Sequence, residues 1–207
     1  MIPHTRLAHP RVLALAALFL AMAGGHAATL TPEPQAARDV QRVEGRDERL
    51  VLAFPQAESW SFLERHADAQ VATRSFVRQD SLAPGFDFAT ASTMRNLWNA
   101  DLEKVQHLFG HKLSAECPDV RARLWLADSL GGRRVVEYAC PGAKPPFTVL
   151  QLLKQGRDDL FTVELYSRRG LAAEGQLVRW AEWLKEIQLC RTEKGGQPPC
   201  PDDAEPR

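Results

Sequence analysis

The sequence predicts one α+β domain: a mostly antiparallel sheet of about six or seven strands, packed by two main helices and held by two disulfides. Three observations predict it. Between residues 121 and 169, four strand-like segments follow one another through short polar connections, the pattern of an antiparallel meander. Two segments, 93–113 and 172–189, carry apolar stripes at helical period. Cys117, Cys140, Cys190 and Cys200, the four cysteines, all lie in the part of the chain that follows an export leader.

The leader is residues 1–27. MIPHTRLAHPR is basic and has no acid, VLALAALFLAMAG is apolar, and GGHAA offers small residues for a signal peptidase, with cleavage expected after Ala27. The apolar run is shorter than the roughly 20 residues that span a bilayer, and no later stretch is long and apolar enough to do so. Of the 207 residues, cleavage leaves residues 28–207, with 24 basic and 26 acidic side chains, because the leader takes two arginines and no acid from a balanced 26 and 26. A nearly neutral domain has no electrostatic footprint for nucleic acid. The expected location is the periplasm, or outside the cell.

Along the mature chain, 28–48 is polar, charged and proline-containing, and reads as a flexible terminus. The domain proper is expected over 49–201, with a polar tail at 202–207. RLVLAF (49–54) reads as a first strand. ESWSFLERH fits a strand through Trp60 and Phe62 and a short helix through Trp60 and Leu63. VATRSFVRQ (71–79) is β-branched and aromatic, and after the Pro84-Gly85 turn FDFATAS reads as another strand. The first helix is expected over 93–113, where Trp98, Leu102, Val105, Phe109 and Leu113 recur at steps of three and four, with Gly110 as a weak point. RARLWLAD (121–128), RRVVEYAC (133–140), FTVLQLLKQ (147–155) and LFTVELYSRR (160–169) make the meander. The last helix presents Ala173, Leu177, Trp180, Ala181, Leu184 and Ile187 on one face.

The favoured cysteine pairs are Cys117–Cys140, tying the exit of the first helix to the meander, and Cys190–Cys200, clipping the terminal tail through RTEKGGQPP. In the chain-entropy model each closure contributes about 3 kcal/mol. No C-x-x-C spacing suggests zinc or a thioredoxin-like centre. Glu103, His107 and His111 share a helix face at i, i+4, i+8 and are the candidate metal ligands for a metal-assisted hydrolase. The segment HLFGH lacks the glutamate of the zincin pattern, and the set points away from the apolar stripe, so it reads first as a solvated face. G-x-S-x-G, G-x-x-x-x-G-K-[ST] and G-x-G-x-x-G do not occur. No catalytic residue and no cofactor is expected. Trp98 and Trp180 read as core. Trp125 and Trp183 are candidates for an outward patch, with half-buried packing the blander account. Arg133-Arg134 and Arg168-Arg169 flank strand ends, either as a basic edge for an acidic partner or as edge protection.

VVEYACP, FTVLQLLKQGRDDLFTVELYSRR, WAEWLKEIQLC and the closing CP resemble a set of uncharacterised secreted proteins of proteobacteria, over roughly residues 50–201. The resemblance implies an exported domain and supports the Cys190–Cys200 clip; it carries no catalytic residues. The strand-rich middle and closing helix are also similar in outline to PsbP-like sandwiches, an architectural likeness that implies no activity. The functional expectation is a non-enzymatic binding or accessory protein of the bacterial envelope, with an envelope protein or small ligand as partner. A secreted factor acting outside the cell is the other alternative.

Overall fold

The computed structural model describes residues 41–55, 58–78 and 87–191. The expected leader 1–27, the tail 202–207 and Cys200 lie outside the described residues. Among the described residues, ten strands and two helices follow in the order β1 (Gln41–Glu44), β2 (Glu48–Leu52), β3 (Trp60–Ala67), β4 (Val71–Arg78), β5 (Phe88–Arg95), α1 (Leu102–Glu116), β6 (Arg121–Asp128), β7 (Arg133–Cys140), β8 (Phe147–Gln155), β9 (Asp159–Ser167), α2 (Glu174–Glu186) and β10 (Gln188–Arg191). Seven strands form one antiparallel sheet in the order β3-β4-β5-β9-β8-β7-β6, and β1-β2-β10 form a second, smaller one. The expected sheet is there, with a three-stranded sheet beside it that sequence reading did not anticipate. No described helix is long and apolar enough to cross a membrane.

Strand alternation sends two different sets of side chains to the two faces of the large sheet. One set is apolar: Phe76, Ala89, Ala91, Val135, Leu150, Leu152, Phe161, Val163 and Leu165 join Trp180, Ala181 and Leu184 of α2 in the main core. Val43, Leu50, Leu52 and Leu189 of the small sheet enter the same core. This corrects the expected flexible terminus at its end: residues 41–44 are a strand because Val43 is buried, and Glu48 opens β2 with its carboxylate accepting from the Arg157 backbone N–H at 2.6 Å. Phe54 stacks between Trp60 and Trp183, at 5.1 Å from each. Trp125 and Trp183 are half-buried against the core, so they are packing residues and form no outward pair.

Both helices are shorter than their stripes suggest. α1 starts after Asp101, whose carboxylate accepts from the backbone N–H groups of Glu103 and Lys104 at 3.0 and 3.2 Å. Residues 93–95 instead close β5, opposite Asp159–Phe161 of β9, and Trp98, expected in the core, is 55% exposed in the connection. α2 ends at Glu186, and Cys190, expected at a helix end, lies within β10 opposite Arg49. ESWSFLERH resolves as strand, with a register shift between Phe62 and Glu64.

Candidate functional site

The second face of the large sheet is polar at its centre. Ser75, Thr90, Glu164 and Gln151 stand opposite one another across β4, β5, β9 and β8, so they form one row perpendicular to the strands. The next row is aromatic and aliphatic: Val77, Phe88, Tyr166, Val149 and Tyr138. On the other side of the polar row lie Thr73, Ser92 and Thr162, with the Thr73 and Ser92 hydroxyls 2.9 Å apart. Helix α1 crosses this face over β7 and β8. Its close approach is made at Gly110, where a Cβ would stand 3.3 Å from the Tyr138 ring; this is the structural use of the glycine that weakens the helix in sequence. The Tyr138 hydroxyl donates to the Gln106 carbonyl at 3.0 Å, and Phe109 lies against the same ring at 5.1 Å.

Glu164 is the centre of the row. It is 3% exposed, and its carboxylate accepts from the Tyr166 hydroxyl at 2.8 Å, Gln151 Nε2 at 3.2 Å and, weakly, the Thr90 hydroxyl at 3.4 Å. Burial pushes its carboxyl above the ordinary glutamate range, and these hydrogen bonds and the Lys112 charge on α1 only partly oppose that. Burial also holds the Lys112 ammonium below its ordinary value. Gln151 Oε1 is buried and has no donor. Of the two forms of Glu164, only the neutral one brings a further O–H to the cluster. The phenols of Tyr138 and Tyr166 are pushed far up, by burial first and by the Glu164 charge second.

At the α1 exit, beside this cluster, sit two of the predicted cysteines. Cys117 caps α1, its backbone N–H donating to the Leu113 carbonyl at 2.9 Å, and Cys140 is the last residue of β7. Both are fully buried, each thiol is within hydrogen-bond reach of the other, and Cys117 Sγ donates to Asp119 at 3.4 Å. The expected Cys117–Cys140 bridge is not formed; the structure holds two free thiols. Burial raises both above the ordinary thiol value, Cys140 strongly.

The Glu103/His107/His111 set is not assembled into a site. Glu103 and His107 are 3.7 Å apart and both largely exposed, and Glu103 also reaches Arg134 at 3.7 Å. His111 is exposed one turn on, and among the described residues no group of three His, Cys, Asp or Glu side chains could hold a metal ion. Arg133 and Arg134 are committed within the fold: Arg133 donates to the Lys185 carbonyl at 2.8 Å and pairs with Asp128 at 3.0 Å, while Arg134 donates to Gln106 and reaches Glu103.

Sequence reading missed Glu164, Gln151, Thr90 and Tyr166. A signal was present: Gln151 and Glu164 are polar interruptions in strongly apolar strands, and both fall on the face opposite the leucines and valines that flank them. Compared with protein-family models, curated proteins and solved structures, the chain matches none.

Proposed function

We propose that this chain is an exported, non-enzymatic binding or accessory protein of the bacterial envelope, and that the sheet face beside α1, held in shape by its buried polar row, is its working face. One observation favours binding over nucleophilic catalysis. The candidate nucleophiles gathered there, Tyr138, Tyr166, Cys117 and Cys140, are all pushed toward their neutral forms, with burial the first cause in each case. A nucleophile needs the opposite, a lowered pKa or an adjacent base that takes its proton. A rigid sheet carrying buried hydrogen-bonding groups suits recognition. In-cell cross-linking in the envelope fraction tests it. A partner retained by the native chain and lost on Glu164→Leu, with the variant folded, supports the reading; no cross-linked partner in that fraction counts against it.

We also propose that two disulfides, Cys117–Cys140 and Cys190–Cys200, close in the exported protein. The support for the first is that the two thiols adjoin. Closure is thiol–disulfide exchange with an envelope protein disulfide: the two thiols release two protons and two electrons, and the incoming disulfide is reduced to two thiols. Cys190–Cys200 rests on sequence spacing and on the resemblance to the secreted proteobacterial set. A thiol count with non-reducing peptide mapping, on protein exported by its own leader, decides both pairs. Crossed pairs, or free thiols in the exported chain, refute the assignment.

A further inference from the structure

Arg168 follows β9 on the same sheet face as Glu164 and Tyr166, by strand alternation. Its guanidinium lies over three rings, 5.3 Å from the centre of Phe147, 5.5 Å from Phe88 and 5.7 Å from Tyr166. Phe88 and Tyr166 are themselves stacked at 4.2 Å and nearly parallel. These contacts hold the cation in place and engage its π-face. They accept none of its N–H groups. A guanidinium carries five in-plane donors, and Arg168 makes no hydrogen bond and no ion pair with the described residues. Its Nε is buried and has no acceptor. Four other arginines of the sheet, Arg78, Arg123, Arg133 and Arg134, each reach a carboxylate.

We propose that the free edge of Arg168 is a binding site for an oxyanion, the carboxylate or phosphate group of a ligand whose apolar body lies beside the half-buried Phe88–Tyr166 stack. A fixed, planar fork with unused donors matches two oxygens of such a group side by side. The aromatic surround excludes water from that pair of bonds and strengthens them. Glu164 and Glu116 are the neighbouring acids: the charge of each acts on Tyr166, Glu164 first, so each opposes an incoming anion when ionised. This inference names the ligand chemistry of the proposed binding face and rests on that reading.

The test uses the purified full-length mature chain at low ionic strength. Acetate, benzoate and inorganic phosphate are titrated separately, with calorimetry and with the Arg168 Nε–H resonance as readouts. The expected result is saturable one-to-one binding of at least one of the three, accompanied by a shift of that resonance. Arg168→Met weakens it by about tenfold or more, the loss of a charge-assisted hydrogen bond. Arg168→Lys, which keeps the charge and loses the fork, weakens it by less. Glu116→Gln tightens it. Benzoate binding above acetate assigns a carboxylate on an apolar body; phosphate binding alone assigns a phosphate ligand. No saturable binding of any of the three, with an unmoved Nε–H resonance on the native chain, overturns the proposal. So does binding unchanged in a folded Arg168→Met. A failed cross-link with positive titrations would remove the protein-partner reading and leave this site standing; the reverse result would do the opposite.

Discussion

Replacing Glu164 by leucine removes the acceptor at the centre of the polar row while keeping side-chain bulk. Two donors then lose their partner in the interior: the Tyr166 hydroxyl, now at 2.8 Å from the carboxylate, and Gln151 Nε2, at 3.2 Å. An orphaned buried donor costs about 1–3 kcal/mol. The Thr90 bond is long at 3.4 Å and that residue is half-buried, so water replaces it at little cost. Against this stands the release of a carboxyl that burial disfavours in its charged form. The expected net loss at pH 7 is about 2–4 kcal/mol. With a urea slope of about 2 kcal/mol per molar, the midpoint falls by about 1–2 M. Glu164→Gln keeps an acceptor and adds a donor, and is expected within about 1 kcal/mol of the native chain at pH 7.

The pH dependence separates the two effects. A carboxyl whose folded value is raised binds its proton more tightly when folded. Its contribution is fully present below the ordinary value of 4.5 and is lost as pH rises through the folded value. Asp68, Asp101 and Asp128 are shifted the other way, chiefly by backbone hydrogen bonds, and lose their contribution as pH falls below 3.8. They are common to both chains and cancel in the difference. Native stability minus Glu164→Gln stability therefore declines as pH rises from about 4.5. A Glu164→Leu chain as stable as the native one, or a difference curve flat from acid to neutral pH, would falsify this account of the cluster.

Glu58→Ala leaves the indole N–H groups of Trp60 and Trp180 without their shared acceptor, which each now reaches at 3.1 Å. Both indoles are buried, so a loss of about 2–4 kcal/mol and a changed tryptophan emission are expected; an unchanged melting curve contradicts it. Leu150→Ala opens a hole in the main core and is expected to cost about 2–5 kcal/mol in the same denaturation assay. Arg123 bonds Glu137 at 2.7 Å and Glu174 at 3.1 Å and lies 4.2 Å over Trp125, but it is 47% exposed. Arg123→Ala should therefore cost no more than about 1 kcal/mol, and less at high salt; a salt-independent loss of several kcal/mol would show the pair to be buried in effect. Zinc calorimetry should give the same trace for the native chain and for His107→Ala, because Glu103 and His107 are solvated and His111 completes no three-ligand group among the described residues.

Sequence alone determined the strand-rich half. The bounds read for β6, β7 and β8 match the structure, because turns with Gly or Pro punctuate apolar runs that are unambiguous in length. The core face of α2 was also legible, since a stripe of Leu177, Trp180, Ala181 and Leu184 has one way to be buried. The stripe through Trp98 was misleading because periodicity does not register where a cap stops it, and Asp101 does so here. The small sheet was hidden because its strands β1 and β10 are four residues each, and β10 finds its partner, β2, more than 130 residues earlier in the chain. Glu103, His107 and His111 looked like a set because helix spacing is local and readable. Glu164, Gln151, Thr90 and Ser75 did not, because their row exists only once the register of four strands is set. The four residues span 75 to 164 in sequence, and only tertiary pairing brings them side by side; it also removes Glu164 from water, which is what raises its carboxyl.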